Sequence, residues 1–334
     1  MKNMKNNKNN PIEVLQLHLA SEMHSVDRLI NAYMKSETAP IISKLANHLI
    51  NAGGKRLRPL LTLAAAKLCN YKGTSHIKLA AAIEFIHTAT LLHDDVVDES
   101  LQRRGKPTAN LLWDNQSSIL VGDYLFSKSF QLMVEADSLK VLSVLADASA
   151  TISEGEILQL SATKNIHTDE ETYFKIIDGK TAALFSAATK VGAIISNMNE
   201  TYVNALSNFG RALGVSFQIT DDLLDYVGFE KNLGKNTGDD YREGKITLPL
   251  IKTISKSSKD ETTFWEKTIG KGIQEPSDLD QAIFLMRKYN VFDDTRCEAL
   301  LWASKATSYL DVFPECEIKT TLKEVTSFVV SRVN

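Results

Sequence analysis

The sequence predicts an all-α protein. Seven prolines occur in 334 residues, and none lies between Thr108 and Leu248, a gap that suits helices because proline removes a backbone donor and breaks a helix interior. Within that gap apolar residues recur at three and four spacing, as in Ile152, Ile157, Leu160 and in Leu184, Phe185, Ala188, Val191. The strict alternation and Asn-Gly turns of a sheet protein are missing. A hydrophobic content of 43% is ample for a large core, and no Ser/Pro-rich linker divides the chain. One domain over 11–334 is expected, preceded by a disordered tail over 1–10, "MKNMKNNKNN".

Taken in order, that tail has lysines but no apolar run behind them, so it reads neither as a signal peptide nor as a transit peptide. "GGKRLRP" (53–59) places Lys55, Arg56 and Arg58 at a helix start. The stretch Ala80 to Arg104 is expected to be mostly helical, which puts His87, Leu91, Asp94 and Asp98 on one stripe. "RRGKPT" (103–108) follows, with Arg103 and Arg104 one turn beyond Asp98. Glycines at 73, 105, 155, 179, 210, 228 and 244 mark breaks or close-packing points between helices of roughly ten to twenty residues. "ISKSSKDETT" (254–263) reads as a surface loop ahead of a few C-terminal helices.

Composition excludes several functions. Thirty-eight basic against 41 acidic residues give a net charge of -3, too little field to grip nucleic acid or an anionic membrane. The most apolar window, Ile77 to Leu92, is interrupted by Lys78, Glu84 and His87, so no transmembrane segment is expected. Cys69, Cys297 and Cys316 are odd in number and in no metal or redox spacing, which fits a cytoplasmic protein.

The chemistry is concentrated in "LLHDDVVDES" (91–100) and "ITDDLLDYVG" (219–228), each with aspartates at i, i+1 and i+4 after an apolar run. Like charges four apart on a helix repel, and carboxylates beside buried surface are expensive. A single such cluster is more often a solvated helix face; two matched ones call for a cation. Mg²⁺ takes oxygen ligands and is commonly held by one or two carboxylates together with phosphates. Asp94 with Asp98, and Asp221 with Asp225, offer that pair twice, with Asp95 and Asp222 beside them. The basic groups of 53–59 and 103–108 supply arginine forks and a lysine for phosphate. The ligand implied carries more than one phosphate. No G-x-x-x-x-G-K-[ST] loop and no G-x-G-x-x-G is present, which leaves little support for a nucleotide fold.

"GGKRLRP", "LLHDDVVDESLQRRG", "GKTAALF", "FQITDDLLDYVG" and "LGKNTGDDYREGKITLP" together resemble the trans-isoprenyl (polyprenyl) diphosphate synthase family in order and spacing. The resemblance implies a single helical bundle of the isoprenoid synthase type with a central cavity. It also implies Mg²⁺-dependent condensation of isopentenyl diphosphate onto an allylic diphosphate, with three Mg²⁺ ions around the bound diphosphate. Carried over, Asp94, Asp98, Asp221 and Asp225 would hold metal, with Asp95 and Asp222 supporting them. Lys55, Arg58, His87 and Arg104 would hold isopentenyl diphosphate. Arg103, Lys180, Lys235 and Lys245 would hold the allylic diphosphate, with Thr181 and Gln218 lining the reacting centre. Ala89, Thr90, Ile86, Ile83 and Leu79 would wall the channel for the growing chain; Ala89 and Thr90 are small where short-chain members place an aromatic plug.

"VVDESLQRRG", "RRGKPTANLLWDNQSSILVGDYL" and "TISEGEILQL" are most similar to the bacterial octaprenyl, solanesyl and decaprenyl diphosphate synthases. Those supply quinone tails, as in ubiquinone biosynthesis, and imply a farnesyl-type primer and a homodimer, with possible peripheral membrane contact for product release. A geranylgeranyl-type synthase is the alternative within the fold. A silent partner subunit would lack one Asp cluster, and a terpene cyclase would have no use for Lys55, Arg58 and Arg104. A helical scaffold with solvated acidic faces would show no Mg²⁺-dependent stabilisation by pyrophosphate.

Overall fold

The computed structural model describes residues 10–50, 54–103, 105–227 and 238–332. The N-terminal tail expected over 1–10, except Asn10, together with Gly53, Arg104, Gly228 and Lys235, lies outside the described residues. Helices run in the order α1 (Pro11–His18), α2 (Ala20–Tyr33), α3 (Pro40–Ile50), α4 (Leu57–Leu68), α5 (Ser75–Val97), α6 (Ala109–Leu112), α7 (Asn115–Glu135), α8 (Leu139–Ala162) and α9 (Glu170–Ile177). A π-helical turn, Asp178–Ala182, leads into α10 (Ala183–Ile195), α11 (Glu200–Val227), α12 (Asp239–Glu243) and α13 (Leu248–Lys256). The chain ends with α14 (Lys259–Trp265), α15 (Asp278–Lys288), α16 (Val291–Tyr309) and α17 (Glu317–Ser331). The all-α expectation holds, and α5, α8 and α11 are longer than the helices expected from glycine spacing.

Two expectations are corrected. The helix ends at Val97 rather than running to Arg104. Glu99 takes a left-handed φ of 49°, its N–H donating to Val96 O at 3.3 Å while Ser100 N–H reaches back to Asp95 O at 3.0 Å. That pair of hydrogen bonds is the Schellman ending, usually built on glycine, and a glutamate there gives no sequence signal. Arg103 therefore lies not one helical turn beyond Asp98 but in a short antiparallel hairpin, pairing with Lys106 as Gln102 pairs with Pro107. The second correction concerns 254–263, which is no loop. Only Ser257 and Ser258 separate α13 from α14, because Ser258 and Glu261 form a reciprocal capping box that restarts the helix at once.

Helix α5 is the axis of the first core. Leu79, Ala80, Ala81, Ala82, Ile83, Phe85, Ile86, Ala89 and Leu92 are all fully buried; a helix apolar all round is an interior helix, and its alanines let α4, α7 and α10 approach closely. Each large side chain here contributes roughly 1.5–3 kcal/mol of burial. Helix α11 spans both cores. Leu206, Phe209 and Leu213 join the first, whereas Val215, Ile219 and Tyr226 join a second built from α13 to α16 around the fully buried Trp265. The charged ends of α5 and α11 are thus held on rigid, deeply packed elements.

Glycines 155, 179 and 210 act as close-packing points. A Cβ on Gly210 would stand 2.3 Å from Phe185 O, and one on Gly155 2.6 Å from Lys180 N. At 105 and 244 the chain instead turns, with φ of 74° and 72°.

Candidate active site

Both aspartate clusters occupy the C-terminal ends of long helices, and neither α5 nor α11 carries a basic residue in its last turn. The helix dipole is negative there, so repulsion among the carboxylates and repulsion from the helix add. The arrangement costs stability unless cations come from elsewhere.

On α5, Asp94 and Asp98 are half-buried, and Asp98 is the C-cap. Burial pushes the Asp94 carboxyl above its ordinary range; Lys180 pulls it back and Asp98 raises it again. Asp95 has a protein partner. It is fully buried and accepts from Arg103 Nε at 2.8 Å, which clamps the hairpin to the helix end.

On α11 the division of labour repeats. Asp222, 5% exposed, accepts from Tyr173 OH at 2.6 Å and from Gln218 Nε2 at 2.7 Å, and Gln218 Oε1 accepts from Thr181 Oγ1 at 2.7 Å. Burial nevertheless raises its carboxyl to about 7. Asp221 and Asp225 stay at the surface of the site. Asp221 Oδ1 accepts from Arg332 Nη2 at 3.0 Å, and Asp225 accepts from the backbone N–H groups of Asp239 and Asp240 at 3.3 and 3.1 Å.

Lys245 bonds to the first cluster from the segment 239–245, whose backbone reaches the second at Asp225. Its ammonium donates to Asp98 Oδ2 at 2.8 Å and lies 2.7 Å from Glu243 Oε2. Its charge also acts on Asp240, whose own carboxyl is pushed up by burial and then by Asp225 and Asp222. Lys180, from the π-turn, pairs with Glu156 of α8 at 2.8 Å.

A separate cavity of about 320 Å³ opens between α4, α5, α10, α11 and α17, lined among others by Lys55, Arg58, His87, Phe217, Asp221 and Arg332. Four cationic residues line it, three of them over an aromatic face: Arg58 4.5 Å from the Phe185 centroid, Arg332 4.9 Å from Phe217 and Lys55 5.0 Å from Phe328. Arg58 Nη1 is 3.0 Å from His87 Nε2. The Lys55 ammonium pKa is lowered by burial and then by Arg332, since both disfavour the charged form. Arg56, also on the cavity wall, pairs with Asp27 at 2.6 Å from a left-handed φ of 45°.

The structure therefore brings together Asp94, Asp98, Lys180 and Lys245 on one side, Asp221, Asp222, Asp225, Thr181 and Gln218 on the other, and Lys55, Arg58 and His87 in the adjoining cavity. Ile83, Ile86, Ala89 and Leu79 are fully buried upstream on α5, and Thr90 is half-buried, its hydroxyl donating to His87 O at 2.9 Å. Arg332, Glu156, Tyr173 and Asp240 were not anticipated as parts of the site.

The donor set fits Mg²⁺. Every candidate ligand is a carboxylate oxygen, and among the described residues no three acidic, histidine or cysteine side chains converge to cage an ion by themselves. Asp95 and Asp222 are buried against Arg103 and against Tyr173 with Gln218, whereas Asp94, Asp98, Asp221 and Asp225 are only half-buried, and a metal would have to share the last three with Lys245, Arg332 and the backbone of Asp239 and Asp240.

The polyprenyl synthetase family model matches residues 39–286. The chain belongs to that family. An octaprenyl diphosphate synthase from Haemophilus influenzae is 38% identical over 96% of this chain and 97% of its own; one from Escherichia coli is 39% identical over 94% and 96%. Among solved structures, a decaprenyl diphosphate synthase from Rhodobacter capsulatus is 53% identical, covers 97% of this chain and 100% of that one, and superposes with a TM-score of 0.94. A geranylgeranyl pyrophosphate synthetase from Pyrococcus horikoshii is 35% identical over 97% and 100%, with a TM-score of 0.90.

Proposed function

We propose that this polyprenyl synthetase is a long-chain all-trans polyprenyl diphosphate synthase, adding isopentenyl diphosphate repeatedly to a farnesyl-type primer until products of octaprenyl to decaprenyl length form for quinone side chains. The observation that carries the reading is the pair of acidic helix ends, with Lys245 bonded to Asp98 and the backbone of Asp239 and Asp240 bonded to Asp225, beside a cavity lined by Lys55, Arg58 and Arg332.

Cleavage of the allylic C–O bond places a large negative charge on the departing pyrophosphate, so cations fixed in advance around it lower the barrier. Lys180 and Lys245 are such cations, and Lys235 and Arg103 belong to the same proposed subsite. Asp94 and Asp98, with Asp221 and Asp225, would hold three Mg²⁺ ions, which when bound neutralise diphosphate oxygens. Thr181 and Gln218 flank the carbon that becomes cationic. Lys55, Arg58, His87 and Arg104 orient the second diphosphate so that its double bond faces that carbon, and the departing pyrophosphate takes the proton. Excluding water matters because the allylic cation would otherwise be hydrolysed.

Long-chain rather than geranylgeranyl products follow from the small Ala89 and Thr90 upstream of the first cluster and from the higher identity to octaprenyl and decaprenyl synthases. A homodimer is part of the proposal. Outward residues of α7 expose Leu120 and Val134 at 66% and 64%, surface that a second copy would cover. Among the described residues no helix is long and apolar enough to cross a membrane; a cytoplasmic enzyme that touches the membrane to release product fits the reading. Incubating the purified protein with labelled isopentenyl diphosphate, farnesyl diphosphate and Mg²⁺, then sizing the dephosphorylated products, tests it. A ladder ending at octaprenyl to decaprenyl supports the proposal; arrest at geranylgeranyl favours the shorter-chain alternative, and no incorporation removes both.

A further inference from the structure

The π-turn Asp178–Ala182 is tied down residue by residue. Asp178 receives Arg211 Nε and Nη2 at 2.5 and 2.8 Å. Gly179 lies against α8 so closely that a Cβ on it would stand 2.8 Å from Thr151 O, and one on the facing Gly155 would stand 2.6 Å from Lys180 N. Thr181 is fixed on Gln218. Between these anchors Lys180 reaches Glu156, the residue after Gly155, at 2.8 Å, both side chains about a quarter exposed. π-turns recur at functional sites, and here every neighbour of Lys180 serves to aim one ammonium.

Glu156 holds that ammonium by direct contact, and Asp94 lies near enough for the Lys180 charge to act on its carboxyl. An ammonium has three donors, so Lys180 can keep Glu156 and still offer N–H groups to a phosphate. If it moved instead onto Asp94, it would neutralise a carboxylate that the proposed metal needs. We infer that Glu156 is a positioning residue: by holding the Lys180 ammonium, it keeps Asp94 available to metal while leaving Lys180 in reach of the diphosphate. The inference rests on the proposed function.

The test is a calorimetric titration of Mg²⁺ into protein plus inorganic pyrophosphate, run on wild type, Glu156→Gln, Lys180→Gln and the double variant, with far-UV circular dichroism as the folding control. Glu156→Gln is expected to weaken Mg²⁺ binding by about tenfold, as loss of a residue that orients a metal site commonly does. Placed on Lys180→Gln, the same substitution is expected to change binding less than about twofold, because its route of action is gone. An unchanged affinity in Glu156→Gln overturns the inference, and so does a tenfold loss that persists in the Lys180→Gln background, since that reports only the missing negative charge. Should Glu156→Gln not fold, Glu156→Asp run through the same cycle decides by the same criterion. A wild type that binds no Mg²⁺ with pyrophosphate sinks the proposed function as well, an outcome distinct from a wild type that binds while Glu156→Gln binds equally.

Discussion

Arg58 shows how one side chain carries part of the proposed activity. Its guanidinium is stacked on Phe185, within 3.0 Å of His87 Nε2 and at the wall of the basic cavity, so it is held in place before any anion arrives. Charge-assisted bonds of this kind are worth about 1.5–3 kcal/mol. Arg58→Gln should therefore raise the KM for isopentenyl diphosphate by roughly ten- to a hundredfold, with a smaller change in kcat, because the contact exists in both ground and transition states; steady-state kinetics at saturating primer measure this. Thr90 makes a different kind of prediction. It is half-buried directly upstream of Asp94 on α5, and Thr90→Phe is expected to shorten the product, as is Ala89→Phe at its fully buried neighbour. Unchanged product length on thin-layer chromatography would remove this face of α5 as the channel wall.

Helices set where such side chains can go. The crossing of α8 with the π-turn depends on Gly155 and Gly179 lying back to back. Gly155→Ala puts a methyl group against Lys180 N, and overpacking of this sort costs about 1–3 kcal/mol; denaturant unfolding should show the loss, and catalysis should fall further than stability alone explains because Lys180 is displaced. Helix α14 gives a prediction in pH. Glu261 caps it and also receives Lys288, Tyr289 and Ser258 N–H, which hold its carboxyl down at about 2, the Lys288 bond contributing most. A depressed acid stabilises the fold above its unfolded pKa, near 4.3, and that stabilisation is lost as pH falls through this range towards 2. Glu261→Gln should thus melt below wild type at pH 7, with the gap closing between about pH 5 and pH 2. A gap independent of pH would assign the effect to packing.

For the molecule as a whole, what could be read in advance was what repeats or what lies close along the chain. The all-α class and the helical placement of Asp94, Asp221 and Asp225 follow from local spacing, and the basic start of α4 was legible in "GGKRLRP". The ends of elements were not. Glu99 stands where a glycine normally announces the Schellman ending, and the Ser258–Glu261 capping box hides inside a polar run. Partners far apart in sequence were equally silent. Glu156 meets Lys180 across 24 residues, Tyr173 meets Asp222 across 49, and Arg332 meets Asp221 across 111. No periodicity encodes those meetings, since only packing of α8, α9 and α17 around α10 and α11 creates them. The split within each cluster, one buried aspartate bracing the helix end and two facing the site, is also a product of packing. It makes the proposal specific: the proposed activity requires Asp94 and Asp221, on separate helices, both to serve one diphosphate. The most direct measurement is incorporation of labelled isopentenyl diphosphate at saturating Mg²⁺ by wild type, Asp94→Ala and Asp221→Ala. Each variant should lose at least about a hundredfold in turnover, as expected when preorganised charge stabilisation is removed, while remaining folded; retention of wild-type turnover by either variant would contradict the account.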